Sequence, residues 1–192
     1  MLNLKESFEF LRVLPLAKWK IFDGDFKCFG FPYYLKANIS GHKTEDEGVF
    51  RCDNINEAKN YFKILSKKFP EIIIQESFEG IEMIAGVKED KVFGKLLMVG
   101  FGGIFAEIKR DVVFRSIPVS RNDVVSMVKE LSGFGIFNSR GKKYNLEKFY
   151  TLIEKVSYVG EKFNVKELDL NPVMVGENAV RIVDARVGLD RQ

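Results

Sequence analysis

The sequence predicts an α+β fold built as two lobes. Three amphipathic helical segments, six strand-like runs and the order of those runs predict it. Several strand-like runs follow one another directly, which favours antiparallel neighbours and argues against a continuous βαβ array. Gly80 separates two such runs and places a lobe boundary near Phe78–Gly80. The expected division is an N-terminal lobe over residues 1–78 and a C-terminal lobe over residues 79–192.

The first helix is expected from about Glu57 to Lys68, with Ala58, Tyr61, Phe62 and Leu65 at helical spacing. Asn54 and Glu57 stand at capping-box spacing ahead of it. The second is expected from about Asn122 to Leu131, with Ser120 and Asp123 as its start signal and Val124, Val128 and Leu131 as its apolar stripe. The third runs from about Leu146 to Tyr158, with Leu146, Phe149, Ile153 and Val156 on one face. Glu71–Gln75 and Lys95–Phe101 are apolar runs, and Ile81–Lys88 alternates. Asp111–Pro118 follows, then Glu167–Val175 and Ala179–Ala185, joined by the hairpin signal Gly176-Glu177-Asn178.

Composition narrows the class. A chain of 192 residues, 46% hydrophobic and 30% charged, can bury a core without disulfides or structural metal. The net charge of +3 is spread along the chain, so no basic block points to a nucleic-acid partner. Cys28 and Cys52 form no CxxC pair, and the lone His42 cannot complete a zinc site with them. Lys5, Glu6 and Glu9 interrupt the N-terminal apolar residues, so no signal-peptide core is present there. No apolar run is long enough for a membrane span. A cytoplasmic location without membrane attachment is the expectation.

Four constellations could carry chemistry. On the last hairpin, Asp169 and Asn171 alternate with Leu168 and Leu170 and so share one face. A four-residue turn would set Asn171 opposite Asp184, and the three oxygen-bearing side chains would suit Mg²⁺. A three-residue turn would put them out of register, and a solvated polar face fits the same spacing. The second is Gly100-Phe101-Gly102-Gly103, with Glu107, Asp111 and Arg115 downstream. It follows a strand, so its amides could meet an anion, or it is a tight turn; it matches neither GxGxxG nor a Walker A motif. The third is Lys36, at the end of the apolar run Phe31–Leu35, with His42 and Lys43 after it. Lys36 could reach a phosphate, and His42 is either a surface residue or a phosphoryl acceptor. The fourth is Gln75-Glu76 with Glu82 beyond it, where one carboxylate could meet an adenine amine or ribose hydroxyls, or both glutamates lie at the surface.

Taken in order, these segments resemble the β subunit of ADP-forming acetyl-CoA synthetases, an ATP-grasp family. The residues Gly80–Asp90, Phe93-Gly94, Gly100–Glu107 and Asp111–Arg115 are similar to that family's most distinctive block. Leu168–Val173 and Val183–Ala185 resemble its metal-binding hairpin, and Phe31–Lys36 with His42-Lys43 is similar to its N-terminal lobe. The resemblance implies an ATP-grasp fold with the nucleotide site between two lobes, and ATP or ADP with Mg²⁺ as cofactors. It implies that Lys36 contacts phosphates, Glu76 lies at the adenine hinge and Glu82 at the ribose. Asn171 and Asp184 would hold Mg²⁺, with Asp169 close by. His42 would accept a phosphoryl group in transit. Gly102 and Gly103, with Glu107 and Arg115, would face the phosphohistidine of a CoA-binding α subunit.

The expected activity is that of the nucleotide-binding subunit of an acid–thiol ligase, moving a phosphoryl group between a phosphohistidine and ADP. Two alternatives stand beside it. After His42-Lys43 the run Thr44-Glu45-Asp46-Glu47-Gly48 replaces the family's short polar pair and Gly-Gly turn. That substitution motivates a non-catalytic relative that keeps the fold and the partner interface. Another ATP-grasp ligase, joining a carboxylate to an amine, would share the metal hairpin without needing His42.

Overall fold

A computed structural model describes residues 1–40, 48–103, 111–138 and 141–189. The helices are α1 (Leu4–Phe10), α2 (Ile55–Leu65), α3 (Arg121–Glu130) and α4 (Leu146–Lys162). Among the described residues ten strands form two antiparallel sheets. The smaller contains β1 (Trp19–Ile21), β2 (Tyr33–Ala37), β3 (Val49–Cys52) and β4 (Ile72–Glu76), in the order β1-β4-β2-β3. The larger contains β5 (Ile81–Asp90), β6 (Gly94–Phe101), β7 (Val112–Ser116), β8 (Val165–Val175), β9 (Val180–Ile182) and β10 (Ala185–Leu189). Its order is β10-β8-β5-β6-β7, with β9 pairing β8.

Each sheet has its own core. Leu35, Ile72 and Ile74 of the small sheet pack with Ala58 and Leu65 of α2. Ile73 turns the other way and joins the core of the large sheet. β4 is thus buried on both faces, which is why its sequence reads as an unbroken apolar run. Over the large sheet, Val124 and Val128 of α3 and Phe149, Ile153 and Val156 of α4 form the helical side of the core. These are the residues of the predicted apolar stripes. Asn54 accepts from the backbone N–H groups of Asn56 and Glu57, and Ser120 with Asp123 closes a capping box.

The N-terminal segment departs from the expected division at residue 78. α1 opens with a capping box between Asn3 and Glu6 and buries Leu4 and Phe8 in the large-sheet core, followed by Leu11. The Leu2 N–H donates to the Val187 carbonyl of β10 at 2.9 Å. The spacing of Leu4, Phe8 and Leu11 is a short helical stripe, and its partner surface belongs to the large sheet. The chain then ties the two sheets together. The Ala17 N–H donates to the Ile182 carbonyl at 2.9 Å, and the Glu76 N–H donates to the Lys18 carbonyl at 2.9 Å.

The last hairpin has the four-residue connection, Gly176–Ala179, with Val175 opposite Val180 and Val173 opposite Ile182. The second arm is not one strand as expected. It breaks at Val183-Asp184 and resumes as β10, with Ala185 opposite Leu170. β8 also shifts register against β5 between Met83 and Ala85. Leu168 and Leu170 are buried before the shift and Val173 and Val175 after it, so both Asn171 and Pro172 turn outward.

Gly86 sits where β5 meets β8, and a Cβ there would lie 2.5 Å from the Leu168 carbonyl oxygen. Gly86→Ala is therefore expected to lower the unfolding free energy by about 1–3 kcal/mol, measured by urea denaturation.

Candidate functional site

Faces of the two sheets line a cleft of about 340 Å³. From the small sheet come Tyr34, Lys36 and Val49. Their side chains fall on one face because Tyr34 and Lys36 alternate along β2 and Val49 is the register partner of Lys36. From the large sheet come Asn171, Asp184 and Arg186, with Pro172 and Val183. Glu82 and Met174, register partners across β5 and β8, line it too, as do Phe78 and Gly103.

Lys36 is the central cation. Its Nζ donates to the Val183 carbonyl at 2.7 Å and stands 5.9 Å from the centre of the Tyr34 ring. The residue is only 3% exposed. Burial lowers its pKa below the ordinary 10.5, and the negative charge of Asp184 opposes that shift. Between the lowered value and 10.5 the unfolded chain binds a proton that the folded chain does not, so stability rises with pH in that window.

Asn171 and Asp184 meet as expected from the four-residue connection. The Asn171 N–H donates to the Asp184 carbonyl at 3.2 Å. Asp184 Oδ1 accepts from the Ala185 N–H at 2.9 Å, which fixes the carboxylate's orientation. An amide oxygen and a carboxylate on one cleft wall are hard donors, and Mg²⁺ needs one or two protein oxygens when phosphates supply others. These two residues therefore fit the ion. Asp169 stands apart: it is the register partner of Arg186, 3.9 Å from its guanidinium, and is not part of the lining. Among the described residues no three His, Cys, Asp or Glu side chains converge on a metal-sized site.

Gly102 and Gly103 pack against Glu82. The Gly102 N–H donates to the Glu82 carbonyl at 2.8 Å. Gly103 has φ +56°, and a Cβ there would overlap Glu82 Oε2. The loop end thus needs glycine both for its left-handed backbone and for room beside the carboxylate.

Two candidates lie elsewhere. Glu76 accepts from the Lys18 N–H at 2.8 Å and faces Lys18 Nζ at 3.8 Å and Arg181 Nε at 3.9 Å. It braces β1 against β4 and is absent from the cleft lining. Arg115, on β7, pairs with Glu130 of α3 and donates to the Phe114 carbonyl at 2.9 Å. The structure does not bring it to the cleft. His42 and Glu107 lie outside the described residues. Sequence reasoning missed Tyr34, Phe78, Met174 and Arg186. The i,i+2 spacing of Tyr34 with Lys36 and of Arg186 with Asp184 is a signal that pointed to two of them.

Lys36→Met removes the buried amine, so the stability of the wild type relative to this variant is expected to increase as pH rises from the lowered value towards 10.5, read from urea midpoints. Gly103→Ala is expected to displace the Glu82 carboxylate. It should cost about 1 kcal/mol in urea unfolding and shift the Glu82 side-chain resonances in solution.

The chain matches the model of the ATP-grasp domain family over residues 27–189. It is 35% identical over 170 residues to an Archaeoglobus fulgidus acetate–CoA ligase [ADP-forming] II, covering 84% of this chain and 25% of that protein. It is 37% identical over 152 residues to the Pyrococcus furiosus acetate–CoA ligase [ADP-forming] II subunit beta, covering 76% of this chain and 64% of that subunit. The chain thus spans between a quarter and somewhat under two thirds of the length of these relatives. Its structure is similar, with a TM-score of 0.84 and 26% identity, to the Ca. Korarchaeum cryptofilum dinucleotide-forming acetyl-coenzyme A synthetase 1 solved with coenzyme A and Mg-AMPPCP. That likeness covers 97% of this chain and 92% of the other. Two antiparallel sheets meeting at a cleft with a buried lysine and a carboxylate–amide pair, together with this match, make the chain a member of the ATP-grasp domain family.

Proposed function

We propose that this chain is the nucleotide-binding subunit of an ADP-forming acyl-CoA ligase of the acetate–CoA ligase kind. It moves a phosphoryl group between a phosphohistidine and ADP, and it works in the cytoplasm with a CoA-binding α subunit. The observation that carries the reading is the convergence of Lys36 from one sheet with Asn171 and Asp184 from the other in a single cleft. The similar K. cryptofilum synthetase, solved with Mg-AMPPCP and with its phosphohistidine segment pointing towards the nucleotide-binding site, supports it.

In this reading Phe78 and Met174 give the base an apolar bed, and Glu82, held beside Gly102 and Gly103, takes ribose hydroxyls. Lys36 meets the phosphates, moving its amine from a carbonyl partner to an anionic one. Asn171 and Asp184 hold Mg²⁺, which neutralises phosphate charge and orients the transferred group. Glu76 shapes the hinge through the backbone of Lys18. His42 receives the phosphoryl group in transit. Glu107, with the glycine loop, faces the partner's phosphohistidine. Catalysis of this kind is positioning plus charge neutralisation, which a cleft with preset donors supplies.

The test is the thermal midpoint with Mg²⁺ alone and with Mg²⁺ plus ADP or ATP. At one hundred times Kd the gain is about 2.7 kcal/mol, a rise of roughly 5–10 °C for a chain of this size. The rise should vanish in Asp184→Asn. With the partner subunit, acyl-CoA- and phosphate-dependent ATP formation should be lost in His42→Ala. No shift with either nucleotide would replace this reading by the non-catalytic relative. Turnover that survives His42→Ala would point to a carboxylate–amine ligase.

A further inference from the structure

Arg186 lines the cleft alongside Lys36, Asn171 and Asp184. It stands two residues after Asp184, so the two side chains leave the same face of the second hairpin arm. Its cross-strand partner is Asp169, whose Oδ2 lies 3.9 Å from its Nη1. On the other side of Asp169 the register partner is Gly86, which has no side chain. Arg186 is thus a side chain that Asp169 meets across the sheet. Both are partly sheltered, at 22% and 30% exposure, so the pair is screened less than a surface ion pair.

From this arrangement we infer that Arg186 is a phosphate-binding residue of the cleft and that Asp169 is the residue that positions it, not a ligand of the metal. The inference rests on the nucleotide reading above. The chemistry favours it on two grounds. A nucleoside di- or triphosphate brings several negative charges into a cleft that already holds the carboxylates of Glu82 and Asp184. Lys36 is one cation against them, and its amine is already engaged by the Val183 carbonyl. A guanidinium stays charged at every working pH and presents a planar fork of donors. One edge can stay with Asp169 while another meets phosphate oxygens. The carboxylate then draws the guanidinium to the cleft by charge attraction before the nucleotide arrives, which lowers the ordering cost of binding.

Calorimetric titration of the full chain with Mg-ADP, Mg-ATP and AMP tests it. Arg186→Ala is expected to weaken Mg-ADP and Mg-ATP by about 10- to 100-fold, the range for hydrogen bonds to charged groups, and AMP by much less. Arg186→Lys, which keeps the charge without the fork, should recover part of the loss. Asp169→Asn should weaken Mg-ADP to an intermediate degree. It should leave unchanged the Mg²⁺ concentration that half-saturates nucleotide binding, whereas Asp184→Asn should raise it. The unliganded thermal midpoints show that each variant is folded, and Arg186→Lys and Asp169→Asn carry the test if the alanine variant is not. Wild-type affinity for Mg-ADP in Arg186→Ala would overturn the inference alone, as would an Asp169→Asn variant whose Mg²⁺ requirement rises like that of Asp184→Asn. A wild-type chain that binds neither nucleotide would overturn the nucleotide reading, and this inference with it.

Discussion

The hydrogen bond from Lys36 Nζ to the Val183 carbonyl, 2.7 Å long and fully buried, joins the two sheets at the cleft. It exists because of a local failure of strand pairing. The Val183 N–H donates to the Pro172 carbonyl at 3.0 Å, but Pro172 has no amide hydrogen to return. A buried carbonyl left without a donor would cost about 1–3 kcal/mol, and Lys36 supplies the donor from the opposite sheet. The amine is in turn removed from water, and its retention beside Asp184 is the reason its pKa falls only against an opposing charge. Asn171 faces outward by the ordinary alternation of β8, and the register shift beside it leaves Pro172 facing outward as well. One irregularity thus draws a cation to the space that the amide and the carboxylate already face.

The rest of the architecture serves to hold that irregularity still. The α3 and α4 helices fix the large sheet from one side, and Gly86 allows β5 to approach β8 closely beneath Asp169. Residues Pro15–Lys18 bond to β9 on one side and to β4 on the other, so the hinge between the sheets is braced by backbone and not only by side chains. Arg181, in contact range of Glu76 and 5.6 Å from the Phe78 ring centre, completes that brace beside the apolar end of the cleft. Among the described residues no helix is long and apolar enough to cross a membrane. A rigid pair of sheets with polar groups preset at their junction is what a phosphate-handling site requires, since its donors cost little reorganisation when the anion binds.

Much of this was legible in the sequence where local physics decides. Helices α2, α3 and α4 carry clear stripes and caps, and the hairpin signal left Asn171 and Asp184 either opposed or out of register, of which the four-residue connection gives the first. Less legible were β1 and β3, which are short and take their identity from pairing with β4 and β2. The α1 helix has a capping box at Asn3 and Glu6, but its assignment to the large sheet depends on where β10 lies, a tertiary fact. Strict alternation along β8 predicts Met174 in the core, and the bulge beside Pro172 is what sends it to the cleft. Glu76 and Arg115 show the opposite limit. Their residue types suit a nucleotide site, yet each is engaged by a charged neighbour distant in sequence, Arg181 and Glu130 respectively.

The central claim is that one cleft, built from both sheets, receives the phosphates of a magnesium–nucleotide complex. Hydrogen-exchange mass spectrometry with and without Mg-ADP addresses it most directly. The account predicts that saturating Mg-ADP slows exchange together in Tyr34–Ala37 of the small sheet and in Asn171–Val173 and Val183–Arg186 of the large one. Protection confined to one sheet, or found away from these segments, would contradict it.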